Sequence, residues 1–288
     1  CDFQPALDWV QFQTERFVLW PGQETTVDVV AFNRGDAQLA RVDLDIALPP
    51  EVDAVGRLPT VLTDVPPFGK ARVSFKIRAR KQTPSAFLTG TWRIPASRDG
   101  ELKTEIVVGT EPDRASGSVP RVACGSFTVL FPKNAFGYGI GWVYAKPDFR
   151  PVGVIPNLGR VTMKGGPLGG VPLYAPAAER TFNKTTIGAS RGAGLRFELS
   201  SDTLAKAAFP GQMAIEFTTG ESVTGVAGRL VTCRVTATAP PEGQLLALDG
   251  PVFCPGEGAF RGKSEALVPG MEWILDDEDS SNNNVISH

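Results

Sequence analysis

Ala71-Arg72-Val73-Ser74-Phe75-Lys76-Ile77-Arg78-Ala79 alternates apolar and polar residues without a break. Successive side chains of an extended chain point to opposite faces. The run therefore sets Ala71, Val73, Phe75, Ile77 and Ala79 on one side and Arg72, Lys76 and Arg78 on the other. Such a period predicts a half-buried strand in a sheet with one solvated face. Val42, Leu44, Ile46 and Leu48 repeat it, with Asp43 and Asp45 turned outward. If these two strands are neighbours, the two acids lie opposite the basic row and contribute a few tenths of a kcal/mol each.

Residues 25–32, 90–96 and 102–110 supply further strands. Turn chemistry separates them at Pro21-Gly22, Asn33-Arg34-Gly35, Pro49-Pro50 and Pro66-Pro67-Phe68-Gly69. The chain carries 31 Gly and 24 Pro, spread along its length, and this punctuation argues for many short strands over long helices. The expected fold is all-β, a sandwich first and a second, larger β-rich domain after it. The sequence of Pro21-Gly22, a strand to Phe32, Asn33-Arg34-Gly35, a strand to Leu48-Pro49, and Gly69 before Ala71 resembles bacterial cell-adhesion-related immunoglobulin-like domains. The resemblance covers residues 15–110. It implies an immunoglobulin-like β-sandwich acting as a spacer or binding module, with no catalytic residues to carry over.

With 288 residues there is room for two domains. The expected division is 1–14 as an N-terminal tether, 15–110 as the sandwich, 111–119 as a polar Pro/Gly/Ser linker, 120–275 as the second domain and 276–288 as an acidic, Asn-rich tail. Strands in the second domain are expected at 127–131, 140–146, 160–164, 195–200, 213–218, 230–238 and 245–248. A short helix at 203–209, capped by Asp202, is its one helical candidate. Gly- and Pro-rich segments between Val154 and Pro176 are expected to be irregular and to face a partner.

Charge and residue inventory narrow the function classes. Lys+Arg 29 against Asp+Glu 31 gives a net charge of −2, so no global basic field favours nucleic acid. No run approaches the roughly 18 apolar residues of a membrane helix. The single histidine is His288, which removes the usual general base and imidazole zinc sites. Gly188-Ala189-Ser190-Arg191-Gly192 matches a nucleophile-elbow pattern but lacks the histidine and the strand-to-helix context that a catalytic Ser190 needs. Glu198 and Glu216 alternate outward from strands, and a histidine-independent carboxylate-pair glycosidase would need two such acids in one cleft. Gly137-Tyr138-Gly139-Ile140-Gly141 lacks phosphate-loop spacing and reads as a closely packed strand. Asp276 to Asn284 offers oxygen ligands without the turn and spacing of a calcium loop, and Asn183-Lys184-Thr185 is a bare sequon. No metal and no cofactor are expected.

Tyr138, Trp142, Tyr144 and Phe149 are the partner-binding candidates. An exposed row of rings stacks on sugars or anchors a protein, whereas such rings more often belong to a core. Loops from Ala135 to Pro176 are expected to leave part of these rings exposed or covered only by another subunit. Cys233 shares a face with Val231 and Val235, and Cys254 ends the apolar Val252-Phe253-Cys254. Joining them in a disulfide would close a modest loop worth about 3 kcal/mol; two free thiols are the alternative. Cys1 points to bacterial lipoprotein maturation, in which the first Cys of the mature chain is acylated and holds the protein to the membrane. The functional expectation is a non-catalytic lipoprotein exported to the bacterial cell envelope, a structural or adhesive subunit acting on a protein partner or by self-assembly. The alternative is a glycan-binding or glycan-processing protein.

Overall fold

In a computed structural model of the chain, the run around Phe75 is a central strand, buried at Phe75, Ile77 and Ala79 and exposed at Arg72, Lys76 and Arg78. The structure describes residues 9–123, 125–165, 170–184, 191–199, 212–220, 230–238, 245–255, 265–268 and 272–275. Cys1, Cys124, Ser190, the 203–209 helix with Asp202, and the 276–288 tail lie outside the described residues. Every regular element among the described residues is a strand, as the spread of Gly and Pro requires.

Residues 10–108 form two sheets around one core. The first holds β1 (Val10–Thr14), β3 (Glu24–Phe32), β7 (Lys70–Ala79) and β5 (Val52–Val55) in that order. The second holds β2 (Val18–Leu19), β9 (Arg98–Val108), β8 (Thr83–Ile94), β4 (Leu39–Ala47) and β6 (Val61–Val65). Between β1 and β2 the chain crosses from one sheet to the other, and β2 runs parallel to β9 with Val18 opposite Val107. Val27, Val29, Phe75 and Ile77 meet Leu44, Leu88, Trp92 and Ile106 in the space between. The Asn33 turn is fixed from inside: its Nδ2 donates to the Ala37 and Val65 carbonyls and its Oδ1 accepts from the Gly35 amide.

One expectation fails here. Because β4 pairs with β6 and β8, while β7 pairs with β3 and β5, the acids of β4 and the bases of β7 sit on different sheets. Asp43 is instead beside Arg41 and Arg93, and Arg72 and Arg78 reach Asp28 and Glu24.

Residues 111–119, expected as a linker, carry their own hydrogen bonds. Asp113 Oδ1 accepts from the amides of Ala115 and Ser116, and Arg121 donates to the Ser116 carbonyl. Beyond it lies a sheet of β10 (Arg121–Ala123), β11 (Phe127–Leu130), β12 (Gly141–Ala145), β13 (Arg150–Ile155) and β21 (Cys254–Pro255). A second sheet orders β16 (Ala178–Lys184), β17 (Arg191–Leu199), β18 (Gln212–Gly220) and β19 (Leu230–Thr238) as an antiparallel meander. β14 (Arg160–Met163) carries β15 (Val171–Pro172) on one side and β20 (Leu245–Asp249) on the other, and β22 (Glu265–Val268) pairs with β23 (Glu272–Leu275). Val129, Phe131, Val143 and Ile155 pack on Leu195, Phe197, Met213 and Phe217, with Phe131 centred 5.0 Å from both Phe197 and Phe217. In the segment 154–176, expected to face a partner, residues 154–159 and 173–175 are instead buried. Leu158, Leu173 and Ala175 are buried, and Tyr138 and Ala175 exchange backbone hydrogen bonds.

Candidate functional site

Strand β12 decides where the aromatic residues go. Its register places Leu130, Trp142, Val154 and Cys254 in one row across four strands, and Val129, Val143 and Gly153 in the adjacent row. Adjacent rows face opposite sides of a sheet. Val129 and Val143 enter the core shared with β17 and β18, while Leu130, Trp142 and Val154 face the first sandwich. β12 is therefore buried on both faces, and its aromatic face meets Val18, Val107, Phe17 and Trp20.

That face is a joint between the two halves. Trp20 stands edge-on to Trp142 at 5.4 Å, Tyr144 lies 6.4 Å from Phe149, and Phe136 lies 4.6 Å from Tyr174. Trp142 and Tyr144 are buried by the chain itself, so the expectation of an open row of rings is corrected for both. Phe149 is half-buried in the same cluster. Tyr138 turns to the other core, 6.5 Å from Phe197, so the four expected rings do not share one surface.

Polar groups lock the rim of the joint. Arg160 donates two hydrogen bonds to the Glu105 carboxylate, at 2.9 and 3.1 Å, and Ser85 Oγ donates a third at 2.7 Å. The Gln82 amide bridges Thr110 Oγ1 and the Ala135 amide, and Asn134 Oδ1 accepts from the Thr110 amide at 2.7 Å. The Tyr174 hydroxyl lies within hydrogen-bond distance of the Pro84 and Pro156 carbonyls, one from each half. Burial pushes the Tyr174 phenol well above its ordinary range, and the Glu105 charge pushes the same way. At this joint the phenol is a neutral donor, not a base.

At the outer edge a cleft of about 140 Å³ opens between Trp20, Trp142, Tyr144, Glu111, Arg114 and Pro151. The Arg114 guanidinium lies 5.7 Å from the Tyr144 ring. A second cleft of about 450 Å³ lies on the opposite side of β12, walled by Phe127, Val143, Phe217, Cys233 and Phe253.

The disulfide expectation is also corrected, since Cys233 and Cys254 are both free thiols. Alternation along the chain explains it: Phe253 lies in the cleft with Cys233, so the next residue, Cys254, turns to the aromatic joint. Partial burial raises both thiol pKa values. Glu198 and Glu216 do meet, but on one guanidinium, each accepting from Arg196 at 2.7 Å. Trp20, Glu105, Arg160 and Gln82 were not anticipated. Trp20 was within reach of sequence reasoning, because it ends the apolar Phe17-Val18-Leu19-Trp20 run just before the Pro21-Gly22 turn.

Among known proteins, no family model and no curated protein matches this chain. The cupredoxin domain of amoB from Nitrosocaldus yellowstonii is a solved structure with a faint likeness, at 12% identity and a TM-score of 0.26, covering 37% of this chain and 92% of that one. A score that low supports no statement about fold detail or chemistry. The resemblance to immunoglobulin-like adhesion domains is not confirmed by these comparisons, and the supported statement is the coarser one, an all-β fold of sandwich type.

Proposed function

We propose that this chain is a non-catalytic structural or adhesive subunit that works through protein–protein contacts and presents its two halves as one rigid unit. The observation that carries the reading is the aromatic joint. Two modules that met only through a polar linker would reorient freely, whereas here a buried apolar cluster is ringed by a bidentate ion pair and an amide bridge. Removing surface of this kind from water at about 25 cal/mol per Å² makes separation of the halves costly. A fixed separation and orientation serve a scaffold or an adhesin and contribute nothing obvious to turnover.

The glycan-binding alternative draws on the cleft beside Trp20 and Tyr144. Its volume of about 140 Å³ is small beside the roughly 300–1,000 Å³ usual for small-molecule sites. Trp20 and Trp142 also stand edge-to-face against each other, with the Trp142 ring itself buried. Cross-linking capture of the native full chain, followed by mass spectrometry, tests the reading alongside a glycan array. Stoichiometric protein neighbours, or copies of the chain itself, with an empty array support it. A reproducible glycan signal lost in Arg114→Ala, without protein neighbours, overturns it.

A further inference from the structure

The meander β16–β17–β18–β19 carries a charge row that runs straight across it. Register pairs Glu179 with Arg196, Arg196 with Glu216, and Glu216 with Arg234. The signs alternate from one end strand to the other. Within the row, Arg196 Nη1 holds Glu216 Oε1 at 2.7 Å. The row stops at Arg234 on β19 and at Glu179 on β16, and these two strands are the ends of the sheet. Both residues are exposed, and among the described residues neither forms an ion pair.

Among the described residues no strand pairs with the outer edge of β19. Residues 233 to 237 are all exposed, which takes in both faces of the strand, and Val235 is 38% exposed. The strand reads Leu-Val-Thr-Cys-Arg-Val-Thr-Ala-Thr, rich in β-branched residues and free of Pro. Nothing in it except Arg234 discourages pairing with another strand.

We propose that copies of this chain assemble head to tail through this sheet, the β19 edge of one copy adding to the β16 edge of the next. Three observations select that occupant. First, Arg234 then faces Glu179 of the next copy, and the alternating row continues across the junction. Second, the same register sets the exposed Val235 opposite the small Ala178 on the other face, a continuation of the row Ala178, Phe197, Ile215, Val235. Third, four antiparallel strands leave β16 and β19 running in opposite directions, so a like-oriented copy arrives antiparallel, as every neighbour in this sheet already is. A twofold β19–β19 pair is disfavoured, because β19 contains no acid and pairing about Arg234 sets like charges opposite. A contact between two different edges does not close on itself in a pair, so it grows into rings or filaments. The inference gives the structural reading a partner and rests on it in that sense, but it uses a surface separate from the aromatic joint.

Sedimentation velocity on the purified full chain at low salt tests it. Wild type is expected to form species larger than a dimer as concentration rises. Arg234→Glu alone and Glu179→Arg alone each place like charges at the junction, and each should raise the concentration needed by about tenfold. An equimolar mixture of the two variants restores opposite charges at every junction and should assemble like wild type. Recovery in the mixture also shows that both variants fold. A chain monomeric at every concentration, a closed dimer that grows no further, or assembly indifferent to both substitutions and to their mixing overturns the proposal. If the purified chain stays monomeric while native capture still returns a protein neighbour, the structural reading stands and this surface alone is refuted.

Discussion

Replacing Trp142 by Ala should destabilise the protein, and the size of the effect follows from where the ring sits. Trp142 is 4% exposed. Cutting the indole back to a methyl removes about 150 Å² of buried apolar surface, worth about 4 kcal/mol at about 25 cal/mol per Å². Buried Trp-to-Ala changes cost about 3–5 kcal/mol in general. One effect opposes this: Trp142 Nε1 is buried with no acceptor among the described residues, and deleting an unpaired buried donor returns about 1–3 kcal/mol. The net cost is about 1–3 kcal/mol, which for a chain of 288 residues lowers the thermal midpoint by roughly 2–5 °C. Calorimetry on the variant measures it, with Trp142→Phe as a near-neutral comparison and Phe68→Ala, whose ring is 74% exposed, as a surface control. Had the ring been a free partner-binding anchor, Trp142→Ala would leave the midpoint where it is and abolish capture of the partner. A shift of less than about 1 °C in Trp142→Ala would refute the joint.

Arg160→Ala leaves Glu105 with Ser85 as its hydrogen-bond partner among the described residues, in a site where both charged partners are 24% exposed; it should cost about 1–3 kcal/mol and speed limited proteolysis across residues 111–119. Gly109→Ala puts a methyl against the Ile140 side chain and 2.9 Å from Asn134 Oδ1; overpacking of about 1–3 kcal/mol is expected by denaturant melt, with small-angle scattering showing the halves less closely seated. The Tyr174 phenol has its folded pKa raised by burial, so its stabilising contribution is complete below the unfolded value near 10 and is lost as pH climbs beyond it; Tyr174→Phe should flatten the alkaline limb of a stability–pH curve. Cys233 should be alkylated in the folded protein, slowly near neutrality and faster only at alkaline pH, because burial pushes its thiol pKa up, and peptide mapping without reductant should find no 233–254 crosslink.

The strands with one wet face were legible because a solvated side imposes period two. Val42 and Leu44 are buried and Asp45 exposed, and Phe75 and Ile77 alternate with Lys76 and Arg78 as the pattern requires. β12 was not legible in the same way. Both of its faces are dry, so Gly141-Trp142-Val143-Tyr144 carries no polar alternation to say which side meets which neighbour. Aromatic residues there suit an interface or, more often, a core, and what settles the matter is Trp20 and Val107 arriving from the other half of the chain. Arg160 and Glu105 are 55 residues apart, and nothing local on either strand marks them as a pair. The misassigned disulfide has a simpler cause. Proximity along the chain favoured Cys233 with Cys254, yet a one-residue step in an extended segment turns a side chain to the opposite face.

β12 also explains why the two proposals belong to one molecule. Val143 on one face is packed into the core that holds Leu195, Phe197 and Phe217 of β17 and β18, and Trp142 on the other is packed against Trp20. A displacement of the meander would have to shift β12, and β12 cannot slide along its own axis by one residue without exchanging Trp142 and Val143 between faces of different size. That exchange would put the indole where Val143 now packs against Phe197 and Phe217, and a valine where Trp142 now meets Trp20. Position is therefore passed from the β19 edge through two packed cores to the first sandwich. An assembly that grew by edge addition at β19 would inherit this, each copy holding its first sandwich at the same angle to the growing sheet. Charge reversal at Arg234 and truncation at Trp142 should then be separable: the first abolishes growth and leaves each copy rigid, and the second leaves growth possible but lets the first sandwich tilt.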